Sequence, residues 1–266
     1  MLRDITLGQY YPSNSVIHRL DPRVKLTATL VFIVSMFLFH TYVGYAIAGT
    51  VLAVTVAISK VPFKYMMKGL KTIWFLLIFT MVFNIFLTDG EPVFTWKFIK
   101  ITWEGLNNAA FMGLRLFFLI IGSSLMTLTT TPNQLTTGME TGLRWMKVIH
   151  VPVHAISMMM SIALRFIPVL MEETDRIMKA QQARGADFDE GKFKDRIKAL
   201  VPIFVPLFVS AFRRANDLAM AMEARCYQGG EGRTKMKPLR YAMRDTVAYL
   251  ILIAYITMIV LAGKLL

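Results

Sequence analysis

A single cysteine, Cys226, rules out any intrachain disulfide. Acidic side chains are scarce: 17 Asp and Glu stand against 30 Lys and Arg, for a formal net charge of +13. Such an excess can serve nucleic acid, but no basic strip with interleaved aromatics lies on a soluble-looking stretch, and no nucleic-acid partner is expected. The four histidines, His18, His40, His150 and His154, are dispersed, and Pro152 interrupts the one pair at helical spacing, so no metal site is expected. A phosphate-binding loop is also missing. The nearest approach, Gly185–Phe193, has one residue too many between its glycines and Phe193 where Ser or Thr must hold magnesium. Any ATP is therefore hydrolysed by a partner. The carboxylate cluster of a membrane phosphotransferase fails as well, because Gln181-Gln182 precede Ala183-Arg184 and Ala199 falls one turn beyond Asp195. A membrane-embedded phosphotransferase or lipid-modifying enzyme is kept only as the alternative to a non-catalytic transport subunit. The first twenty residues lack an apolar run, so no cleavable signal peptide is expected.

What is abundant is apolar sequence. Hydrophobic residues make up 55% of 266, mean hydropathy is +0.51, and the apolar residues come in blocks. Five blocks are candidates to cross a bilayer, which takes roughly 20 helical residues: Val24–Phe39, Tyr42–Ile58, Leu70–Leu87, Ala109–Leu128 and Thr246–Ala262. The first two are short, with Lys25 and Lys60 expected to snorkel to the interface. Arg3, Arg19 and Arg23 precede the first block, and Lys60, Lys64, Lys68 and Lys71 join the second to the third without an acid. The bias of Lys and Arg toward the cytoplasm then puts the amino terminus inside, the end of the fourth span inside and the carboxy terminus outside. The loop between the third and fourth spans is mixed in charge and holds Trp96 and Trp103, suited to a membrane interface.

Apolar runs at Ile156–Met171 and Ala199–Phe212 resemble further spans. If both crossed, Glu172–Lys198 would be exported with seven Lys and Arg, against the same bias. Pro168, Pro202 and Pro206 also interrupt them. They are read as long amphipathic helices at the cytoplasmic interface. The expected organisation is an all-α membrane protein: a cytoplasmic arm over 1–23, four transmembrane helices over 24–128, a cytoplasmic or interfacial helical region over 129–245, and a last transmembrane helix over 246–266. Thr131-Pro132 reads as an N-cap and first helical residue, opening a helix over Asn133–Lys147, and Asp21-Pro22 does the same for the first span. Loops are expected at Gly185–Gly191 and Gln228–Pro238.

Three features invite function. Ala183-Arg184-Gly185 and Ala224-Arg225-Cys226 end the two long amphipathic stretches, 41 positions apart, and the residues before them align in pattern, Glu173 onward against Arg214 onward. A lone arginine there would be a cation at a helix C-terminus. Its duplication after a small residue suits paired docking points, where arginine forms bidentate bonds to a partner's carboxylate. Nineteen methionines, including Met158, Met159 and Met160, make an adaptable surface. Arg115 lies inside the fourth span, where it either snorkels or serves function. The spans otherwise hold very few ionisable groups and show no evident internal repeat, which disfavours a self-contained channel or carrier.

Three stretches together resemble the EcfT family, the transmembrane coupling subunits of energy-coupling factor importers. They are Gly8-Gln9-Tyr10-Tyr11-Pro12 through Ser15 and His18 to Leu20-Asp21-Pro22-Arg23-Val24-Lys25-Leu26; Leu128-Thr129-Thr130-Thr131-Pro132; and the doubled Ala-Arg motif. The resemblance implies two ABC-type ATPases, EcfA and EcfA′-like, held on the cytoplasmic helices, with ATP and Mg bound by them and no cofactor on this chain. It places Arg184 in one ATPase and Arg225 in the other, with Ala183, Gly185, Ala224 and Cys226 shaping the approach. It further implies one or several interchangeable membrane S-components that capture a vitamin or metal ion; Met158, Met159, Ile162, Phe166, Phe204 and Phe208 are the candidate contacts. The setting is a prokaryotic plasma membrane. Cys226 departs from the family glycine. If that glycine is needed for a left-handed cap, the second helix ends elsewhere, for instance at Gly229-Gly230.

Overall fold

The computed structural model describes residues 10–88, 92–96, 99–186, 193–229 and 238–265. The start of the arm with Arg3 and Gly8-Gln9, most of the expected 185–191 loop and most of the 228–238 loop lie outside the described residues. The chain divides into two compact units. One joins Gly8–Thr141 to Leu239–Leu266, and the other holds Gly142–Pro238.

The first unit contains α1 (Pro22–Leu38), α2 (Tyr42–Ser59), α3 (Phe63–Leu87), β1 (Pro92–Trp96), β2 (Ile99–Thr102), α4 (Trp103–Thr129), α5 (Pro132–Gly142) and α8 (Met243–Leu265). The caps form as the sequence predicts. Asp21 Oδ1 accepts the Arg23 N–H at 2.9 Å with Pro22 at the first helical position. Thr131 and Gln134 make a reciprocal capping box over α5, at 3.1 and 3.3 Å. The α5 helix stops at Gly142, short of the expected Lys147, and the chain continues as a 3-10 helix over Leu143–Ile149. The loop carrying the tryptophans becomes an antiparallel hairpin, β1 against β2. It is the one strand pairing among the described residues.

The helices α3 and α4 form the most extensive pair. Gly105 permits their approach: a Cβ there would stand 3.0 Å from the Ile85 carbonyl oxygen and 3.1 Å from that of Asn84. Phe32, Met36, Tyr45, Ala48, Leu52, Leu70, Leu77, Ile121, Leu125 and Tyr255 build the core among α1, α2, α3, α4 and α8. Ser35 gives its hydroxyl hydrogen to the Phe32 carbonyl, so the 2.7 Å contact with Tyr255 is a bond donated by the tyrosine, tying α8 to α1. Large apolar side chains such as Leu250, Ile253 and Val260 of α8 point outward, as lipid-facing surfaces do.

By length and composition α2, α4, α6 and α8 are able to cross a membrane. The α3 helix makes a fifth if Phe63–Lys71 and Ile73–Leu87, bent by 63°, form one broken span. The total agrees with expectation but the membership differs. With 17 residues, α1 is only about 25 Å long, less than the roughly 30 Å hydrocarbon core. Conversely α6, expected at the interface, carries a long apolar amino-terminal part in which Arg165 is the one charge before Glu172.

The second unit contains α6 (Val153–Ala183) and α7 (Phe193–Ala224), packed on one another. Gln181 Nε2 donates to the Pro202 carbonyl at 3.2 Å, and Arg214 bonds Glu173 at 3.1 Å. As the position on α6 falls, its partner on α7 rises, so the helices run antiparallel.

Candidate docking site and signature residues

Each long helix ends in the same backbone device. Arg184 is the C-cap of α6, Gly185 follows in the left-handed region at φ 88°, the Gly185 N–H bonds the Gln182 carbonyl at 2.9 Å, and the Ala186 N–H bonds that of Gln181 at 3.0 Å. This is a Schellman motif. At the end of α7 the Cys226 N–H bonds the Glu223 carbonyl at 2.8 Å and the Tyr227 N–H bonds that of Met222 at 3.0 Å, with Cys226 at φ 54°. The second cap is therefore the same as the first. The family glycine is thus not needed for a left-handed cap here: Cys226 adopts the conformation itself, and α7 does not run on to Gly229.

In both caps the backbone satisfies the helix carbonyls, and neither guanidinium takes part in these backbone bonds. Arg184 and Arg225 are both exposed, as are Ala183, Gly185, Ala224 and Cys226. Neither arginine has an ion-pair partner among the described residues. Two cations are thus held at helix ends with their donors open to a partner.

The ion pair between α6 and α7 explains how the two are related. Glu173 and Arg214 are 41 positions apart, the same offset that separates Arg184 from Arg225. An antiparallel pair that touches through equivalent positions of a repeat has a local two-fold axis at the contact. Each motif arginine lies three helical turns, about 16 Å, beyond this ion pair, and the helices diverge from it in opposite directions. The arginines therefore point to opposite ends of the pair, on the order of 30 Å apart. Prolines 168, 202 and 206 all precede the ion pair, and none lies between it and either arginine. Sequence reading aligned Glu173 with Arg214 but did not pair them; the coincidence of offset and opposite charge was the available signal.

The six apolar candidates do not form one patch. Met159, Phe204 and Phe208 are exposed, while Met158, Ile162 and Phe166 are half-buried. Because the helices are antiparallel, the methionine group and the phenylalanines of α7 fall on opposite sides of the Glu173–Arg214 pair. On α7, Phe204, Phe208 and Phe212 form an exposed row one turn apart, with the Phe208 and Phe212 rings 4.7 Å apart. Sequence reading included the first two and missed Phe212.

The other signature stretches converge in the first unit. The Tyr11 N–H donates to the Leu128 carbonyl at 2.9 Å, folding the arm onto the end of α4. His18 Nε2 donates to the Tyr11 carbonyl at 2.9 Å, which fixes the tautomer and leaves Nδ1 to accept from Ser15 Oγ at 2.7 Å. Burial pushes the His18 imidazole below its ordinary value; the Tyr11 carbonyl opposes this and the Lys25 ammonium adds to it. Lys25 does not snorkel. Its side chain is buried and donates to the carbonyls of His18 at 3.1 Å and Thr129 at 2.8 Å, placing a cation on the carboxy-terminal dipole of α4. Asp245, at the start of α8, accepts the Asp21 N–H at 2.8 Å and the Ala242 N–H at 2.8 Å. The starts of α1 and α8 and the end of α4 thus share one end of the bundle. Sequence reading found every member of this cluster except Asp245.

Residues 13–236 match the family model described as CbiQ, cobalt transport protein. The chain is 55% identical over 252 residues to the energy-coupling factor transporter transmembrane protein EcfT of Clostridium kluyveri, covering 94% of this chain and 93% of that one. Identity to the protein of the same name from Ruminiclostridium cellulolyticum is 51% over 261 residues, 98% of each chain. With that of Bacillus subtilis it is 49% over 247 residues, 92% of this chain and 93% of the relative. Similarity of this extent, over the arm, the bundle and the paired arginine helices alike, makes the chain a member of the CbiQ family of transport proteins, among its EcfT transmembrane subunits.

Proposed function

We propose that this chain is the non-catalytic scaffold of an importer in which two separate ATPases drive uptake of a micronutrient. Arg184 enters a groove on one ATPase and Arg225 a like groove on the other. ATP and Mg bind to those partners. Closure of the ATPases draws the two helix ends together, and the motion passes to a membrane S-component that holds the vitamin or metal ion, so that cargo is released inward. The exposed row Phe204, Phe208 and Phe212 offers that component an apolar surface. The carboxy terminus faces outward, and the arm and the arginine helices lie in the cytoplasm of a prokaryote. The common end shared by the starts of α1 and α8 and the end of α4 is what this topology requires.

One observation carries the reading. Two exposed arginines, on identical backbone caps, are related by a local two-fold axis, as docking to two similar proteins demands. Replacing both, Arg184→Glu with Arg225→Glu, is expected to abolish co-purification of the ATPases and ATP-driven uptake, while either single change causes partial loss. Intact assembly and uptake in the double variant overturn the docking role.

A further inference from the structure

Arg115 is a charge inside the membrane helix α4 that the proposed scaffold role does not use, and its surroundings are specific. Its Nε donates to Tyr45 Oη at 3.2 Å, and a terminal nitrogen donates to His40 Nε2 at 3.3 Å. Its guanidinium stacks over the Phe37 ring, 5.3 Å from the centroid. All three partners are neutral in these contacts, because His40 accepts through Nε2. A guanidinium has five N–H donors, and Arg115 has no ion pair among the described residues. A half-buried, unneutralised cation in a membrane helix is costly unless an anion reaches it.

The local geometry says which anion. The Arg115 guanidinium reaches the turn between α1 and α2, while Tyr42 at the start of α2 reaches Asn107, eight residues earlier on α4. The turn, the guanidinium and the rings beside it thus form one polar and aromatic patch where α1 and α2 meet α4. Exposed His40 and Tyr42 stand at its edge. The Tyr45–Phe111, Tyr42–Phe111 and Phe39–Tyr45 ring pairs surround it. Aromatic rings collect at headgroup depth, and a planar fork of donors suits phosphate oxygens. We infer that this patch binds the phosphate of an anionic phospholipid, with Arg115 as its anchor. A lipid without a headgroup cation of its own is favoured, since choline would offset the attraction.

The full chain, equilibrated in vesicles of equal phosphatidylglycerol and phosphatidylcholine and then extracted in mild detergent, tests this through the lipids it retains. The wild-type chain is expected to enrich phosphatidylglycerol roughly tenfold, and Arg115→Gln to lose the preference. Arg115→Lys keeps the charge but not the fork and should give an intermediate value, which preserves the test if Arg115→Gln does not fold. Equal enrichment in either variant and the wild type overturns the site. Loss of the wild-type preference on adding inorganic phosphate overturns the lipid assignment, since the site would then read any free phosphate.

Discussion

Cys226 holds a backbone conformation that Gly185 enters without steric cost, while an L-residue gives up about 1 kcal/mol or more there. Because the two caps are otherwise alike, exchanging these residue types should shift local stability in opposite directions. Cys226→Gly is expected to slow amide exchange at Tyr227, whose N–H closes the second cap, roughly fivefold. Gly185→Ala should speed exchange at Ala186 by a similar factor. No change at either amide would show that the caps are not under this strain. His18 supplies a second prediction. The folded arm resists protonating it, so the unfolded chain binds the proton more readily, and stability declines as pH falls below the ordinary value of about 6.5. A melting curve taken from pH 8 down to about 5.5 should show that decline, and His18→Gln should flatten it.

At the scale of elements, the antiparallel contact of α6 and α7 depends on a half-exposed ion pair worth about 1 kcal/mol. Reversing one charge, by Glu173→Arg or Arg214→Glu, should lower the melting temperature, and both together should recover most of the loss. A cycle without coupling energy would mean that apolar packing alone sets the register. Helix existence and caps were readable in the sequence, because Asp21-Pro22 and Thr131-Pro132 act on their own backbones. Boundaries and pairing were not. The bend in α3 and the early stop of α5 follow no residue that marks them, and the hairpin β1–β2, though its strands are adjacent in sequence, sits in a stretch read as a loop. The left-handed Cys226 was hidden for the opposite reason: residue type favours glycine, but the carbonyls of Met222 and Glu223 accept the same two bonds whichever residue provides the turn.

For the molecule as a whole, the signature Leu-Asp-Pro-Arg-x-Lys is structural joinery. Asp21 and Lys25 connect α1 to α8 and to α4. The sequence identified these residues, yet Asp245 was invisible because its partner lies 224 positions away. Asp245→Ala leaves two backbone N–H groups without their acceptor and is expected to cost about 2–3 kcal/mol, seen as a lower melting temperature in detergent. Asp245→Asn, which keeps one carbonyl oxygen, should lose about half as much. Equal melting of all three proteins would remove the bond from the account of stability.

The bond between Asp21 and Asp245 also sets an order of events during synthesis. At about 5–20 residues per second, a ribosome needs roughly 10–45 seconds to travel from one aspartate to the other. Throughout that interval α1 and α4 are made while α8 is not, and the groove it will fill stays open to lipid. The arginine helices, encoded between them, emerge whole before the bundle closes. A nascent chain therefore presents its paired arginine helices while its membrane part is still incomplete, before the last helix is inserted.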